Sequence, residues 1–171
     1  LVGSEMCIRD RDCIAPDRNP KVPGIKLPEG SIDTHVHIFE SQYPLFEGRG
    51  YNPPDSTLDD LKHLHSQLGV SRVVYTQPSP YGVDNSAILK GMKVMNDETP
   101  GRARGVCAIT MDVTDNFLED LDKQGIKGVR LNMDNIGGMP IGLDEIPSLE
   151  ARIKGLGLSL IHISEPTRLE P

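Results

Sequence analysis

The stretch SIDTHVHIF at residues 31–39 decides the fold class of this chain. Its β-branched and apolar residues predict a β-strand, and the Gly/Pro-rich residues 41–56 predict a long loop after it. His35 and His37 are one residue apart, so on a strand both imidazoles point to the same side. A dinucleotide-binding sheet would instead place a glycine-rich, phosphate-binding turn after its first strand.

Strand and helix patterns alternate along the rest of the chain. Residues 12–30 predict an irregular lead-in, because they carry four prolines and no periodicity. Four strand–helix units joined by short links predict an α/β protein with a parallel sheet, either a barrel or a doubly wound open sheet. The further strands are predicted at residues 70–76, 103–109 and 126–133. The first helix is predicted to begin at a Ser56 cap and end at Gly69, with its apolar residues at Leu58, Leu61, Leu64 and Leu68. The second is predicted to begin at an Asp84 or Asn85 cap, with a stripe of Ile88, Met92 and Met95. The third and fourth are predicted at residues 113–123 and 144–154, and the third is expected to place Phe117, Leu118 and Leu121 inward.

Length and charge restrict the classes of function. The chain has 171 residues, whereas a closed (β/α)₈ barrel needs roughly 250. A net charge of −7 without a basic stripe argues against nucleic acids and anionic membranes as partners, and no apolar run is long enough to span a membrane. Cys7, Cys13 and Cys107 form neither a disulfide framework nor a metal knuckle, so we expect a cytoplasmic protein.

Both ends of the chain have the character of translated adaptor DNA. The two end segments read LVGSEMCIRDR and LSLIHISEPTR. One DNA sequence that encodes LVGSEMCIRDR has a reverse complement that encodes LSLIHISEPT, followed by the start of the codon for the last residue of the second segment. Both segments resemble the translated transposon adaptor used to prepare sequencing libraries, which removes Cys7 and His162 from any site. The alternative is a strand at 158–163 followed by a polar tail.

The chain is therefore predicted to have three parts. Residues 1–11 and 158–171 are expected to be adaptor-derived and non-native. Residues 12–157 are expected to be the native, N-terminal part of a barrel. The true N-terminus, and with it any signal peptide, then lies outside the chain.

Two convergent imidazoles carry the first chemical hypothesis. On the first strand of a barrel, His35 and His37 would point inward at the mouth, where active sites form. The pair can hold a divalent metal that activates a water molecule. Without a metal, the same pair can polarise a carbonyl or assist proton transfer. A half-exposed strand with incidental histidines is the plain alternative.

The first strand also resembles the signature of the amidohydrolase superfamily, in which an Asp-x-His-x-His segment opens a barrel. Further stretches resemble the branch that contains the 2-pyrone-4,6-dicarboxylate lactonases, over nearly all of residues 20–150. These stretches are YNPPD at 51–55, LGVSRVVYTQPS at 68–79, GVDN at 82–85, GRARGV at 101–106 and GIKGVRLN at 125–132. The resemblance implies the N-terminal half of a (β/α)₈ TIM barrel, truncated after about four βα units.

The resemblance also implies a function. It implies a metal-independent hydrolase of aromatic compound degradation, which opens a carboxylated lactone ring and whose parent protein is catalytic. His35 and His37 match the catalytic histidines, Tyr51 and Ser79 match substrate-contacting positions, and Arg130 matches an arginine that binds a substrate carboxylate. A divalent metal such as zinc on the two histidines is the alternative. The family's later histidines and its late catalytic aspartate are missing from this chain.

Residue patterns alone support less specific roles for several side chains. Arg130 alternates onto one strand face with Gly128 and Asn132, and it needs an anionic partner, either a substrate carboxylate or an internal acid. Asp33 shares the alternation of the two histidines, so we expect it deeper in the barrel as an orienting residue. His63 and His65 lie two apart on a helix, which favours solvated or packing roles.

Several functional alternatives stay open at this level. Relatives of the same fold include sugar-acid lactone isomerases, sulfomuconolactone hydrolases and metal-dependent decarboxylases. An inactive gene fragment belongs to another class, and a binding-only module is the least supported. The expected partner is a small carboxylated lactone, and the oligomeric state is open. A half barrel has open edges, so the isolated chain is predicted to aggregate or dimerise without activity.

Overall fold

Strands and helices alternate regularly in the computed structural model, which describes residues 13–132 and 141–163. Short 3₁₀ turns at Ser79–Tyr81 and Leu143–Glu145 precede the second and fourth helices. The elements are β1 Ile32–Val36, α1 Leu58–Leu68, β2 Arg72–Thr76, α2 Ser86–Glu98, β3 Ala103–Cys107, α3 Asp115–Lys123, β4 Ile126–Asn132, α4 Ile146–Lys154 and β5 Ser159–Ile163.

The five strands form one parallel sheet in the order β1-β2-β3-β4-β5. A doubly wound sheet reverses its strand order at one point, whereas a barrel adds each new strand on the same side of the previous one. The order therefore decides between the two architectures that the sequence left open, in favour of a partial barrel. Within the described residues, β1 and β5 are the edge strands of the sheet, and each pairs with one neighbouring strand only.

The core lies between the sheet and its helices. Tyr75 of β2 is fully buried, and its hydroxyl contacts the sulfur of Met95 on α2 at 3.1 Å. The predicted stripe of Ile88, Met92 and Met95 is confirmed, since all three are 0% exposed. Gly105 of β3 is needed for this packing, because a Cβ there would lie 2.5 Å from the Met92 sulfur.

The first helix begins one residue later than predicted. Thr57, not Ser56, is its N-cap, and Thr57 and Asp60 form a reciprocal capping box. Ser56 is instead held by two 2.8 Å backbone hydrogen bonds to Phe39, which form an isolated antiparallel bridge across the loop. The expected closure at Gly69 is confirmed, with a left-handed φ of 78°.

Two apolar side chains of the helical patterns are exposed, and for Phe117 the predicted inward orientation is wrong. Phe117 of α3 is 45% exposed, while Leu118 and Leu121 are buried as expected. Leu64 of α1 is 37% exposed, and the adjacent His65 is 1% exposed. In both helices the buried stripe is narrower than the apolar pattern, so Phe117 and Leu64 lie outside it.

The cap of α2 lies at one of the two predicted residues, but its side chain makes other hydrogen bonds than a cap. Asn85 occupies the N-cap position without a side-chain cap hydrogen bond. Its amide instead donates to the carbonyls of Val83 and Ala108 and accepts from the Ala108 backbone N–H. Asp84 accepts the backbone N–H of Ser86. Asn85 therefore ties the start of α2 to the end of β3.

The first strand is shorter than residues 31–39 and contains a bulge. Asp33 pairs with Val73 and Val36 pairs with Tyr75, so three residue steps on β1 match two steps on β2. Val73 and Tyr75 are buried against the helix layer, so Asp33 faces that layer as well. The expectation that Asp33 shares a face with the two histidines is therefore wrong, because one extra residue reverses the alternation.

The fifth strand lies in the segment that the sequence assigns to adaptor DNA. It pairs with β4 in unbroken register, from Gly128↔Ser159 to Asn132↔Ile163. An open sheet edge pairs with any extended, β-branched segment, so this pairing is compatible with either origin. The adaptor assignment of both ends thus stays a prediction, and residues 1–11 lie outside the described residues.

Candidate active site

The predicted histidine pair lies at the carboxyl end of β1. The ring centroids of His35 and His37 are 4.9 Å apart, and the rings meet edge to face at 81°. His35 is exposed and His37 is partly buried. The two imidazoles therefore converge, and they do so at the edge of the sheet where (β/α)₈ enzymes bind their substrates.

A backbone hydrogen bond fixes the tautomer of His37. Its Nδ1 lies 2.8 Å from the carbonyl oxygen of Thr76, at the end of β2. A carbonyl only accepts, so Nδ1 carries the proton and Nε2 of the neutral ring has a free lone pair. Burial lowers the pKa of His37 to about 4, and the charges of His35 and Arg130 add to this effect against the Thr76 hydrogen bond. At neutral pH, His37 thus presents an acceptor to the site.

His35 is held in a related electrostatic environment. Desolvation lowers the pKa of His35, the charge of Arg130 lowers it further, and the carboxylate of Asp33 raises it. The backbone N–H of His35 donates to the Asp33 carboxylate at 3.3 Å. Both members of the pair are therefore favoured in the neutral form.

Arg130 brings a buried positive charge from β4 to the same place. It is 9% exposed, and its Nη1 donates to the carbonyl of Gln77 at 2.6 Å. Among residues 13–132 and 141–163, its Nε has no hydrogen-bond partner and no carboxylate forms an ion pair with it. Burial accordingly lowers its pKa. The internal ion pair that the sequence left open is absent from the described part of the chain.

Tyr51 and Ser79 meet beside the guanidinium. Burial raises the pKa of Tyr51. A hydrogen bond from Ser79 and the charge of Arg130 act in the opposite direction but are smaller effects. Tyr51 comes from the loop after β1, and Ser79 begins the 3₁₀ turn after β2. The structure therefore brings together all five residues that the sequence selected: His35, His37, Tyr51, Ser79 and Arg130.

Gln77 connects the parts of this site and was not selected from the sequence. Its backbone carbonyl binds Arg130, and its side-chain amide donates to the carbonyls of Gly82 and Asp84 at 3.1 and 2.8 Å. It is 0% exposed, and its Oε1 has no partner among the described residues. A polar residue directly after the apolar β2 was the available sequence signal, and its burial is visible only in the folded chain.

Two cavities lie outside the mouth of the sheet. One of about 480 Å³ lies between α1 and α2, and another of about 400 Å³ lies beside Phe39, Tyr43 and Tyr81. Ring contacts of 5.8–6.2 Å continue from His37 through Phe39 to Tyr81 and Tyr43. The histidine pair itself lies on an open surface, because a partial barrel has no opposite wall to enclose it.

The same residues supply only part of a metal site. Within residues 13–132 and 141–163, no group of three or more His, Cys, Asp or Glu side chains could hold a metal ion. A catalytic zinc takes three protein ligands, so the pair could provide two of them through free imidazole nitrogens. The residues present thus do not complete a zinc site by themselves, and we derive no catalytic step through a metal.

The comparison with protein families matches most of the chain. The amidohydrolase family model matches residues 32–164, which include all five residues of the candidate site. In the described part of the chain, no helix is both long enough and apolar enough to cross a membrane.

Characterised proteins with similar sequences act on lactones, according to their names. The 2-pyrone-4,6-dicarboxylate hydrolase of Comamonas testosteroni is 32% identical over 88% of this chain and 49% of its own length. The 4-sulfomuconolactone hydrolase of Hydrogenophaga intermedia is 35% identical over 69% of this chain and 38% of its own. The D-galactarolactone isomerase of Agrobacterium fabrum is 30% identical over 76% and 43%. The chain spans half or less of the length of these relatives.

Solved structures give the same result for the fold. A probable 2-pyrone-4,6-dicarboxylic acid hydrolase from Acinetobacter baumannii, with citric acid bound, matches with a TM-score of 0.69 and 27% identity, over 80% of this chain and 50% of that one. An apo structure from Agrobacterium tumefaciens matches with a TM-score of 0.71 and 28% identity, over 82% and 50%. The parallel sheet is thus similar to about half of each solved chain.

Proposed function

Because the chain belongs to the amidohydrolase family, we propose that its parent protein hydrolyses the ring ester of a carboxylated lactone similar to 2-pyrone-4,6-dicarboxylate. One observation carries the proposal. Arg130 is a buried guanidinium whose Nε has no partner in the described part of the chain, and it lies next to a convergent histidine pair at the carboxyl edge of the sheet. A buried cation without an internal anion is the feature expected of a site that binds an anionic substrate.

The proposed mechanism assigns one role to each group. Arg130 binds a ring carboxylate, and the Tyr51 and Ser79 hydroxyls orient the same group. The free Nε2 of neutral His37 accepts a hydrogen bond from the attacking water and aims its oxygen at the ring carbonyl. Neutral His35 polarises that carbonyl by donating a ring N–H to its oxygen. Water adds to that carbonyl, the ring C–O bond breaks, and the ring opens to a carboxylate and an enol or alcohol. The family's general base is expected on a late strand that this chain lacks.

The proposal extends to the rest of the parent gene. We propose that the native reading frame continues beyond residue 157 into about four further βα units, with an inward histidine and a late aspartate. The free thiols of Cys13 and Cys107 support a reducing, cytoplasmic location. Recovery of the uninterrupted gene tests this directly, and a stop codon soon after that point would favour the inactive-fragment alternative.

Substitution of Arg130 tests the substrate class in the full-length parent. We expect Arg130→Met to lower kcat/KM for 2-pyrone-4,6-dicarboxylate by roughly 100-fold, since a charge-assisted hydrogen bond contributes about 3 kcal/mol. Arg130→Lys should recover part of the loss, because lysine keeps the charge but not the planar fork. Arg18→Met is the control, since the Arg18 side chain is 63% exposed and pairs with Asp60 on α1, outside the sheet.

The assay follows the loss of pyrone absorbance. Equal rates for the wild type and Arg130→Met would overturn the assignment of Arg130. Turnover of a sugar-acid lactone or a sulfomuconolactone instead would reassign the substrate within the same fold. Metal analysis of the active parent distinguishes the decarboxylase alternative, for which activity would require a bound divalent ion.

A further inference from the structure

A buried histidine on α1 holds the carboxylate that shapes the first strand. His65 is 1% exposed and is the only fully buried side chain of α1, all of whose residues the structure describes. Its Nε2 lies 3.2 Å from Oδ2 of Asp33. The other carboxylate oxygen of Asp33 accepts the backbone N–H of His35. One carboxylate thus connects the helix layer to the backbone of the histidine pair.

The bulge of β1 lies at this connection. The extra residue falls between Asp33 and Val36, so Asp33 faces the helices while His35 and His37 converge on the other side. Bulges often occur beside active sites, where they redirect a side chain. A hydrogen bond from a backbone N–H to the Asp side chain two residues earlier is the local interaction that stabilises such an irregularity.

The two imidazoles lie closer together than the backbone repeat of a regular strand. In a regular strand, residues two apart are separated by roughly 6.8 Å. The two imidazole centroids are 4.9 Å apart, which is closer than this repeat. The bulge turns the Asp33 carboxylate toward α1, away from the mouth where Arg130 would receive an anion.

We propose that His65 is a positioning residue, which holds the bulge of β1 through Asp33 and thereby aims His35 at its partner His37. His65 touches neither substrate nor water in this role. The inference rests on the proposed function only where it treats His35 as catalytic, because the geometry of the bulge is independent of any activity.

The test is the cross-ring nuclear Overhauser effect between His35 and His37 in the full chain, labelled with ¹³C,¹⁵N-histidine. Five histidines keep the spectrum simple. His65→Leu removes the donor but fills the space, whereas His65→Gln keeps a side-chain N–H. His63→Leu is the matched control, because His63 is exposed two positions away on the same helix.

The expected result follows from the distance. If the rings separate from 4.9 Å to roughly 6.8 Å, the effect weakens about sevenfold, because it falls with the sixth power of distance. We expect this loss in His65→Leu only, with the wild-type signal in His65→Gln and His63→Leu. An unchanged signal in folded His65→Leu would overturn the proposal. Should that variant not fold, Asp33→Ala must show the same loss, and an unchanged signal there would overturn it equally.

A kinetic measurement separates this inference from the proposed function. In the parent enzyme, His65→Leu should lower kcat by up to about 100-fold with little change in KM, as a small misplacement of a reacting group does. A parent without lactonase activity would refute the proposed function and leave the ring-to-ring measurement valid. Normal kcat in His65→Leu together with a weakened ring signal would show that His35 is not catalytic.

Discussion

Acidification should destabilise the folded protein through His37. Burial holds the pKa of His37 at about 4 in the folded state, against about 6.5 in an unfolded chain. Between these values the unfolded state binds more protons than the folded state, so stability falls as pH falls. The pKa of His35 is lowered as well, mainly by desolvation, and therefore acts in the same direction.

The magnitude follows from the two pKa values of His37. Linkage predicts a loss of roughly 2 kcal/mol in the free energy of unfolding between pH 7 and pH 5, and about 3 kcal/mol by pH 4. His37→Gln removes this contribution and keeps an amide that can donate to the Thr76 carbonyl. The pH dependence of the variant should therefore be flatter than that of the wild type by these amounts.

Urea titrations followed by far-UV circular dichroism measure the difference. They should be run at a single protein concentration, because self-association would otherwise shift the midpoint. His63→Gln is the matched control, since the His63 side chain is exposed on α1. Parallel pH profiles for the wild type and His37→Gln between pH 7 and pH 5 would refute the conclusion that His37 is held neutral by burial.

Three further predictions concern packing, capping and assembly. Gly105→Ala should lower the free energy of unfolding by about 1–3 kcal/mol, measured by thermal or urea denaturation, since the new Cβ would lie 2.5 Å from the Met92 sulfur. Gly24→Ala is the control and should cause no measurable loss, because no atom lies within 4 Å of its Cβ position. Thr57→Ala should cost about 1 kcal/mol and Ser56→Ala much less, because Ser56 binds Phe39 through backbone atoms; equal losses would contradict the capping assignment. The full 171-residue chain should self-associate through its open edges β1 and β5, which light scattering at increasing concentration measures, and it should show no lactonase activity. A chain that stays monomeric at all concentrations, melts cooperatively and turns over the lactone would contradict this prediction.

Much of the candidate site could be predicted from local spacing. Histidines two residues apart on a strand lie on the same side, so the common direction of His35 and His37 could be predicted from strand geometry, whereas the bulge beside them could not. The grouping of Tyr51, Ser79 and Arg130 followed from the family resemblance of their flanking motifs. Gln77 was missed, because only the folded chain shows that one buried amide binds the loop after β2 while its backbone carbonyl binds Arg130.

The failures have a common physical origin. Alternation and helical periodicity assume regular backbone, so they misplaced Asp33, whose strand contains an extra residue, and Phe117, whose helix buries a narrower stripe. Capping rules identified the right region for α1 but not the residue. The bridge between Ser56 and Phe39, which are 17 positions apart, decided that Thr57 begins the helix.

The sequence by itself determined the α/β class, the strand–helix alternation and the common direction of His35 and His37, because these depend on contacts between near neighbours. The tertiary structure decided that the strands follow one another in a single direction, as in a barrel, and that Asp33 turns toward His65. Strand order and the bulge depend on pairing between segments about 20 to 40 residues apart, for which local propensity carries no information.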